Sequence, residues 1–281
     1  MSFSKKSNFP DKNKDFRIIP EKYIPEIESE LRKKAITIPK EVYDCSGIRI
    51  QGTRIKSFLF SMDIAVIKNS NAQSILAVYP FTPQLSIIDA IIKASSVPVF
   101  AGVGGGITSG QRSIQIAIQS ELMGAYGVVV NSPMPAEIIA QMYEVLDIPI
   151  VATVTTEYDD IVGKINAGAR ILNISGGKET ASLIKKVRAI VGDEFPIIAT
   201  GGHKGENITR TIQAGANGIS YTPPSSAELF QGVMEDYRQN AQKKTNPNDP
   251  KKLIPDYQDD LVFSPEEIEY IEKGASGEDD E

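Results

Sequence analysis

Short apolar runs recur along the middle of the chain, and the segments between them carry apolar residues at the spacing of one helix face. The eight runs are SFLFS from Ser57, ILAVY from Ile75, VPVFA from Val97, GVVVN from Gly127, PIVAT from Pro149, RILNIS from Arg170, PIIAT from Pro196 and GISYT from Gly218. Strands that alternate with helices form a parallel sheet with right-handed crossovers. Eight such strands, apolar along their length, predict an α/β protein with a single closed (β/α)8 barrel, the TIM barrel.

Proline and glycine mark the ends of these elements in a regular order. The third, fifth and seventh runs open at Pro98, Pro149 and Pro196, and the fourth, sixth and eighth are entered through Gly124, Gly168 and Gly215. Proline is tolerated at the start of a strand, and glycine suits the left-handed residue after a helix. The repeating unit is therefore two strands and two helices. The glycine-rich stretch at 102–106 follows the third run, which favours a loop at the top of the barrel over a dinucleotide-binding turn.

The barrel pattern is confined to residues 47–236, and the flanking segments differ in character. Residues 1–46 predict an N-terminal arm with an amphipathic helix at 21–35. The alternation of Ile48, Ile50 and Ile55 around a glycine predicts a β-hairpin, either closing the bottom of the barrel or lying on the surface. Residues 237–281 predict a polar, acidic C-terminal tail with a short helix at 264–273.

Composition narrows the class of protein further. The chain has 281 residues, of which 41% are hydrophobic, so it can bury one large core. No apolar run reaches the length of a membrane span, and the first residues lack the apolar core of a signal peptide, so a cytoplasmic location is expected. The net charge of −6 with dispersed lysines argues against nucleic acid as a partner. A homo-oligomer is the default expectation for a barrel of this size.

The carboxyl ends of the last two strands predict an anion site. Gly201 and Gly202 follow the seventh run, and Ser225 and Ser226 begin the helix after the eighth. Free N–H groups and the positive dipole end of a helix attract phosphate, and barrels of this type often bind it after strands seven and eight. A small phosphorylated or otherwise anionic metabolite is therefore the expected partner.

The other strand ends supply polar but nearly neutral side chains, as is expected where barrel enzymes place their active sites. Asp63 is a candidate base and His203 or Tyr79 a candidate acid, although Asp63 could instead cap the first helix, His203 could be a solvated loop residue and Tyr79 could simply pack. The candidates for orienting a substrate are Asn131, Thr153, Asn173 and Thr200.

The segment 97–230 resembles the phosphate-binding TIM-barrel superfamily, and within it the 2-keto-3-deoxy-6-phosphogluconate (KDPG) aldolase and thiamine-phosphate synthase group. The resemblance rests on the PIIATGG sequence from Pro196, the Ala-Gly-Ala helix ends and the Gly-Val-Val-Val strand. The aldolases of that group form a Schiff base with a lysine on the sixth strand, where this chain has Asn173. An amide cannot form an imine, so the resemblance implies a lyase or isomerase that works without one.

Two other functions fit the same residues. An FMN-dependent oxidoreductase would use a phosphate site at the same end of the barrel. A barrel without catalysis that senses a phosphorylated metabolite would account for the missing strand-end lysines. No metal is expected, because the sequence has no cluster of His, Asp and Glu at ligand spacing, and no cofactor is expected outside the FMN alternative.

Overall fold

The computed structural model describes residues 25, 27, 36–202 and 205–244. The chain divides into two units, Met1–Lys34 and Ala35–Glu281, and the barrel belongs to the second. Apart from residues 25 and 27, the predicted helices at 21–35 and 264–273 lie outside the described residues, as does His203.

Eight parallel strands close into a barrel, which confirms the predicted fold. A two-stranded antiparallel hairpin, β1 (Ile48–Ile50) and β2 (Thr53–Ile55), precedes them. The barrel strands are β3 (Ser57–Phe60), β4 (Ser74–Ala77), β5 (Val99–Gly104), β6 (Gly127–Val130), β7 (Ile150–Val154), β8 (Ile171–Ile174), β9 (Ile197–Thr200) and β10 (Gly218–Tyr221). Each strand pairs with its neighbours in sequence, and β10 pairs with β3 to close the ring.

Helices follow the strands and cover the outside of the barrel. They are α1 (Ile64–Lys68), α2 (Leu85–Ala94), α3 (Gln111–Leu122), α4 (Ala136–Val145), α5 (Ile161–Asn166), α6 (Thr180–Val191), α7 (Gly205–Gln213) and α8 (Ser226–Lys244), with 3₁₀ turns at Lys40–Asp44 and Gly177–Glu179. The apolar faces of α1 to α7 pack on the outward-facing strand residues in one large cluster, whereas α8 contributes no residue to it and is mostly exposed. In the part of the chain that the structure describes, no helix has the length and apolar character needed to cross a bilayer.

The hairpin fills the amino-terminal end of the barrel, as the first of the two sequence alternatives predicted. Ile48, Ile50 and Ile55 join one buried cluster with an inward-facing residue from each of seven barrel strands. Those seven residues are Phe58, Leu76, Phe100, Val129, Val151, Ile171 and Ile198. Because the bottom of the barrel is filled with apolar side chains, polar chemistry is confined to the opposite end, where the strands terminate.

Candidate functional site

A ring of inward-facing residues lines the carboxyl end of the barrel. Side chains alternate between the two faces of a strand, so the residue two positions after each of those seven residues also faces inward. On β10 the same holds for Ser220, two positions after Gly218, which faces the Phe58 ring. The upper ring consists of Phe60, Val78, Gly102, Asn131, Thr153, Asn173, Thr200 and Ser220. The four predicted substrate-orienting residues thus lie together at the ends of β6, β7, β8 and β9, and their role in binding stays a prediction.

Asn173 is the one member of this ring with a buried side-chain polar atom that lacks a hydrogen-bond partner among the described residues. Its Nδ2 donates to Thr153 Oγ1 at 3.4 Å, on the neighbouring strand. Its Oδ1 is buried and has no hydrogen-bond partner among the described residues. A buried acceptor without a donor costs about 1–3 kcal/mol, and such atoms in native proteins often mark a site for water or a ligand. The upper ring therefore contains one buried acceptor whose hydrogen-bonding capacity is not used by the described residues.

Hydroxyl groups continue the ring beside Asn173. Thr200 Oγ1, at the end of β9, lies 3.4 Å from Ser175 Oγ, just beyond the end of β8. A hydroxyl can both donate and accept, so this side of the mouth can match a ligand hydroxyl, carbonyl or carboxylate without itself carrying charge.

Asp63 lies after β3 and acts as the N-cap of α1, the alternative that the sequence left open. Its Oδ1 accepts from the amides of Ala65 and Val66 at 2.8 and 3.2 Å, and its Oδ2 accepts from Ser226 Oγ. The hydrogen bond from Ser226 is the main cause that lowers the pKa of Asp63; burial opposes this change and the two amides add to it. A carboxylate with a lowered pKa is a weaker base, so the geometry favours capping over proton abstraction.

The predicted donors at the start of α8 are already bonded within the protein. The Ser225 amide and hydroxyl both donate to Glu228 Oε2, at 2.7 and 2.8 Å, and the Glu228 amide donates back to Ser225 Oγ at 3.2 Å. This is a capping box, and its Ser-x-x-Glu spacing was visible in the sequence. Sequence reasoning missed Glu228 because it assigned these donors to an external anion. The amide of Gly201 is also engaged, donating to Ser220 O at 3.1 Å.

The described residues line two clefts at this end of the barrel. One, of about 670 Å³, lies between the loop after β3 and the start of α8 and is lined by residues that include Asp63, Ser226 and Glu228. The other, of about 410 Å³, lies beyond β4 and β5 and is lined by residues that include Tyr79 and Asn131. Tyr79 Oη accepts from the Gln84 amide at 2.6 Å, so its own hydrogen remains to donate elsewhere.

A buried ion pair behind the ring was not foreseen from the sequence. Lys164, on α5, reaches Asp159 at 2.8 Å, and the two side chains are only 4% and 8% exposed. Asp159 also accepts from Ser132 Oγ and from the amides of Thr155 and Thr156. Burial alone would raise the pKa of Asp159, but these hydrogen bonds and the Lys164 ammonium together lower it well below its ordinary range.

The described residues contain no group of three or more His, Cys, Asp and Glu side chains arranged to hold a metal ion. The ring around Asn173 consists of neutral oxygens and amide groups, with apolar residues on the β3 and β4 side. The fold and this ring together define a (β/α)8 barrel with a neutral polar mouth.

No protein-family model matches the sequence. No curated protein matches it at a significant level. Solved structures match in fold at a TM-score of 0.50. One is a protein of Burkholderia cenocepacia J2315 provisionally named a phosphonomutase, with 15% identity over 66% of this chain and 92% of that chain. Another is phosphonopyruvate hydrolase, with 14% identity over 81% of this chain and 93% of the hydrolase.

A third is the phosphoenolpyruvate phosphomutase of Streptomyces platensis subsp. rosaceus, also at a TM-score of 0.50, with 10% identity over 84% of this chain and 94% of the mutase. At such identities the likeness shows a shared (β/α)8 fold and nothing finer. The narrower resemblance to the KDPG aldolase group is not supported by these three proteins and stays a prediction.

Proposed function

We propose that this protein binds a small anionic metabolite, bearing hydroxyl or carbonyl groups, in the mouth of its barrel. The observation that carries the proposal is the buried, unpartnered Oδ1 of Asn173. A ligand hydroxyl that donates to this oxygen would remove a cost of about 1–3 kcal/mol. Thr153 and Thr200 lie on the strands to either side and add hydroxyls that can accept or donate.

The turn at Gly202, between β9 and α7, is the position that we assign to the negative charge. At α8 the carboxylates of Glu228 and Asp63 already accept from Ser225 and Ser226, so an incoming anion there would meet charge of its own sign. The end of β9 leads to Gly202, which lies on the positive side of the α7 dipole. The carboxylate of Glu41 lies beside Gly205 at the start of the helix, so the charge is assigned to the Gly202 turn and not to the first turn of α7. Thr200 lies just before the Gly202 turn, which would bring the charged end of a ligand next to the polar ring.

The names of the comparison proteins support an anionic ligand. Phosphonopyruvate hydrolase and phosphoenolpyruvate phosphomutase are named for small molecules that carry both a carboxylate and a phosphonate or phosphate group. These two compounds are therefore the first probes to test. The predicted phosphorylated ligand belongs to the same chemical class.

Binding without turnover, as in a metabolite sensor, is the function that the described residues favour. Asn173 cannot form an imine, and the lowered pKa of Asp63 makes that carboxylate a weak base. A lyase or isomerase that works without a Schiff base is the second candidate. One observation favours it: Tyr79 accepts from Gln84 and so keeps its own proton available for a substrate.

The binding proposal is tested by thermal shift and calorimetry with phosphoenolpyruvate, phosphonopyruvate and a series of sugar phosphates. At least one should stabilise the protein, because a ligand that binds only the folded state raises its melting temperature. Asn173→Leu should abolish that shift, whereas Asn69→Leu, at the exposed end of α1, should leave it intact. An equal shift in both variants would place the ligand away from the ring.

Turnover and flavin are tested on the same preparation. Phosphorus NMR of each stabilising compound over a day should show no change for a sensor, while a new resonance that disappears in Tyr79→Phe would establish the lyase or isomerase. A colourless protein that releases no flavin on denaturation is expected. Stoichiometric FMN would instead identify the oxidoreductase.

A further inference from the structure

The cleft beyond β4 and β5 carries two exposed apolar side chains at its entrance. Phe81 is 75% exposed and Ile107 is 99% exposed, and both line this cleft of about 410 Å³. Its size falls within the range of small-molecule sites, and exposed apolar groups next to a concave surface often mark a place that a ligand covers.

One wall of the cleft carries two aromatic side chains, and the other is rich in glycine. The first wall consists of residues 78–83, including Tyr79 and Phe81, and the second of residue 102 and residues 104–108. Gly105 has a φ of +123°, and a Cβ there would lie 2.6 Å from Asn131 Cβ, so only glycine lets this loop lie against the strand end. The result is a cleft, which we call the slot, with aromatic side chains on one side and a glycine-rich loop on the other.

In the unliganded protein a hydrogen bond links the two walls of the cleft. Thr108 Oγ1 donates to Thr82 Oγ1 at 2.9 Å, linking the loop after β5 to the loop after β4. The Tyr79 hydroxyl is held by the Gln84 amide at 2.6 Å. A preformed slot of this kind loses little conformational entropy when it is filled.

The cleft is continuous with the ring around Asn173. Val78, Gly102 and Asn131 line the cleft and are also members of the upper ring. Asn131 is followed around the ring by Thr153 and then Asn173, on the next two strands. A single ligand can therefore contact the polar residues with one end and the apolar slot with the other.

We infer that this slot binds a flat, apolar ring carried by the ligand, stacked between the side chains of Tyr79 and Phe81 and the glycine backbone. This aromatic group would be a second part of the ligand, next to the anionic, hydroxylated part that the proposed function assigns to the mouth. The inference rests on the proposed function only for that polar part. The expected ligand is therefore a compound in which a planar aromatic or heteroaromatic group is linked to an anionic group. Asn131 and the Tyr79 hydroxyl would orient its polar edge.

Three probes separate the slot from the anion site: methyl phosphate, naphthyl phosphate and uncharged naphthol, each titrated by calorimetry. Naphthyl phosphate should bind the wild-type chain about tenfold or more tightly than methyl phosphate, the scale of one stacked ring. Phe81→Ser and Ile107→Ser should each remove most of that gain and weaken naphthol equally, leaving methyl phosphate unchanged. Both residues are exposed, so neither change threatens folding.

Leu122→Ser is the matched control, because Leu122 is also exposed, at 74%, but lies at the far end of α3. It should bind all three probes as the wild type does. Binding of naphthol without methyl phosphate, lost in Phe81→Ser, would uphold the slot and refute the anionic function. If neither ring-bearing probe binds, or if both bind the Phe81 and Ile107 variants as tightly as the wild type, the slot is refuted whatever methyl phosphate does.

Discussion

Lys164 Nζ lies 2.8 Å from Asp159 Oδ1 and also donates to the backbone oxygens of Ser132 and Thr153, at 2.9 and 3.0 Å. One ammonium on α5 thereby holds the end of β7 to the loop that follows β6. Thr153 is part of the polar ring, so the pair fixes the backbone on which one side of the candidate site is built. The ion pair contributes by positioning this backbone, because its charged atoms contact the loops and not the interior of the ring.

Removing the lysine should destabilise the fold severely. Lys164→Met leaves Asp159 buried beside three polar neighbours but without a cation, and breaking a buried pair in this way costs about 3–5 kcal/mol. Urea denaturation measures the loss. Lys93→Met is the control: Lys93 pairs with Asp89 on the surface at 74% exposure, and its loss should cost less than about 1 kcal/mol. Similar losses in both variants would contradict the structural role of the buried pair.

Stability should fall in acid because of Asp159. Its folded-state pKa is lowered below the unfolded value of about 3.9, so the stabilisation is complete above that pH and is lost progressively as the pH falls below it. Urea midpoints measured at a series of pH values below neutrality should drop more steeply for the wild type than for Asp159→Asn, which cannot ionise. Parallel curves would mean that other carboxylates control acid unfolding.

Asn173→Leu should not destabilise the unliganded protein. The substitution removes a buried oxygen without a partner and loses only a long contact to Thr153, so the free energy of unfolding should stay the same or rise by about 1 kcal/mol.

Asn217→Leu is the matched comparison for that experiment. Asn217 Oδ1 accepts from Arg188 and from the Ile197 amide, at 2.7 and 2.9 Å, so its removal should cost about 2–3 kcal/mol. A large loss in Asn173→Leu would show that Oδ1 is satisfied, by water for instance, and would weaken the case for a ligand. A gain in stability together with lost ligand binding is the pattern expected of a functional residue.

Glu228→Ala should weaken the start of α8 and open it to anions. Loss of the capping box should cost about 0.5–2 kcal/mol in chemical denaturation. The freed amide and hydroxyl of Ser225 should then let inorganic phosphate raise the melting temperature more than it does in the wild type. Glu235→Ala, further along the same helix, should leave the phosphate response unchanged. An unaltered response in Glu228→Ala would show that this helix end does not hold anions even when its donors are free.

The barrel could be predicted because its signals are local. Pro149 and Gly168 bound a strand and a helix by backbone rules that hold wherever the chain goes, and the alternation at Ile48 and Ile50 marks a hairpin by itself. The residues of the mouth could be named for the same reason, since strand ends of a parallel barrel converge at one end.

The partners of the polar groups could not be predicted, because they depend on contacts between distant parts of the chain. Ser226 was expected to bind a ligand, but it donates to Asp63, 163 positions earlier in the sequence. Lys164 lies on an amphipathic helix and reads as an ordinary surface residue, yet the fold buries it. Which acceptor a donor binds depends on the folded arrangement of the chain. The sequence therefore identified the donors but not the carboxylates that accept their hydrogen bonds.

The hairpin at the amino-terminal end limits how a ligand can enter and leave the barrel. Among the described residues, Ile48, Ile50 and Ile55 fill the lower interior together with Phe58 and Phe100 and leave no open path through it. A molecule bound near Asn173 must leave by the route along which it arrived. Were the protein an enzyme, its product would obstruct the entry of the next substrate, and inhibition by product would be built into the architecture.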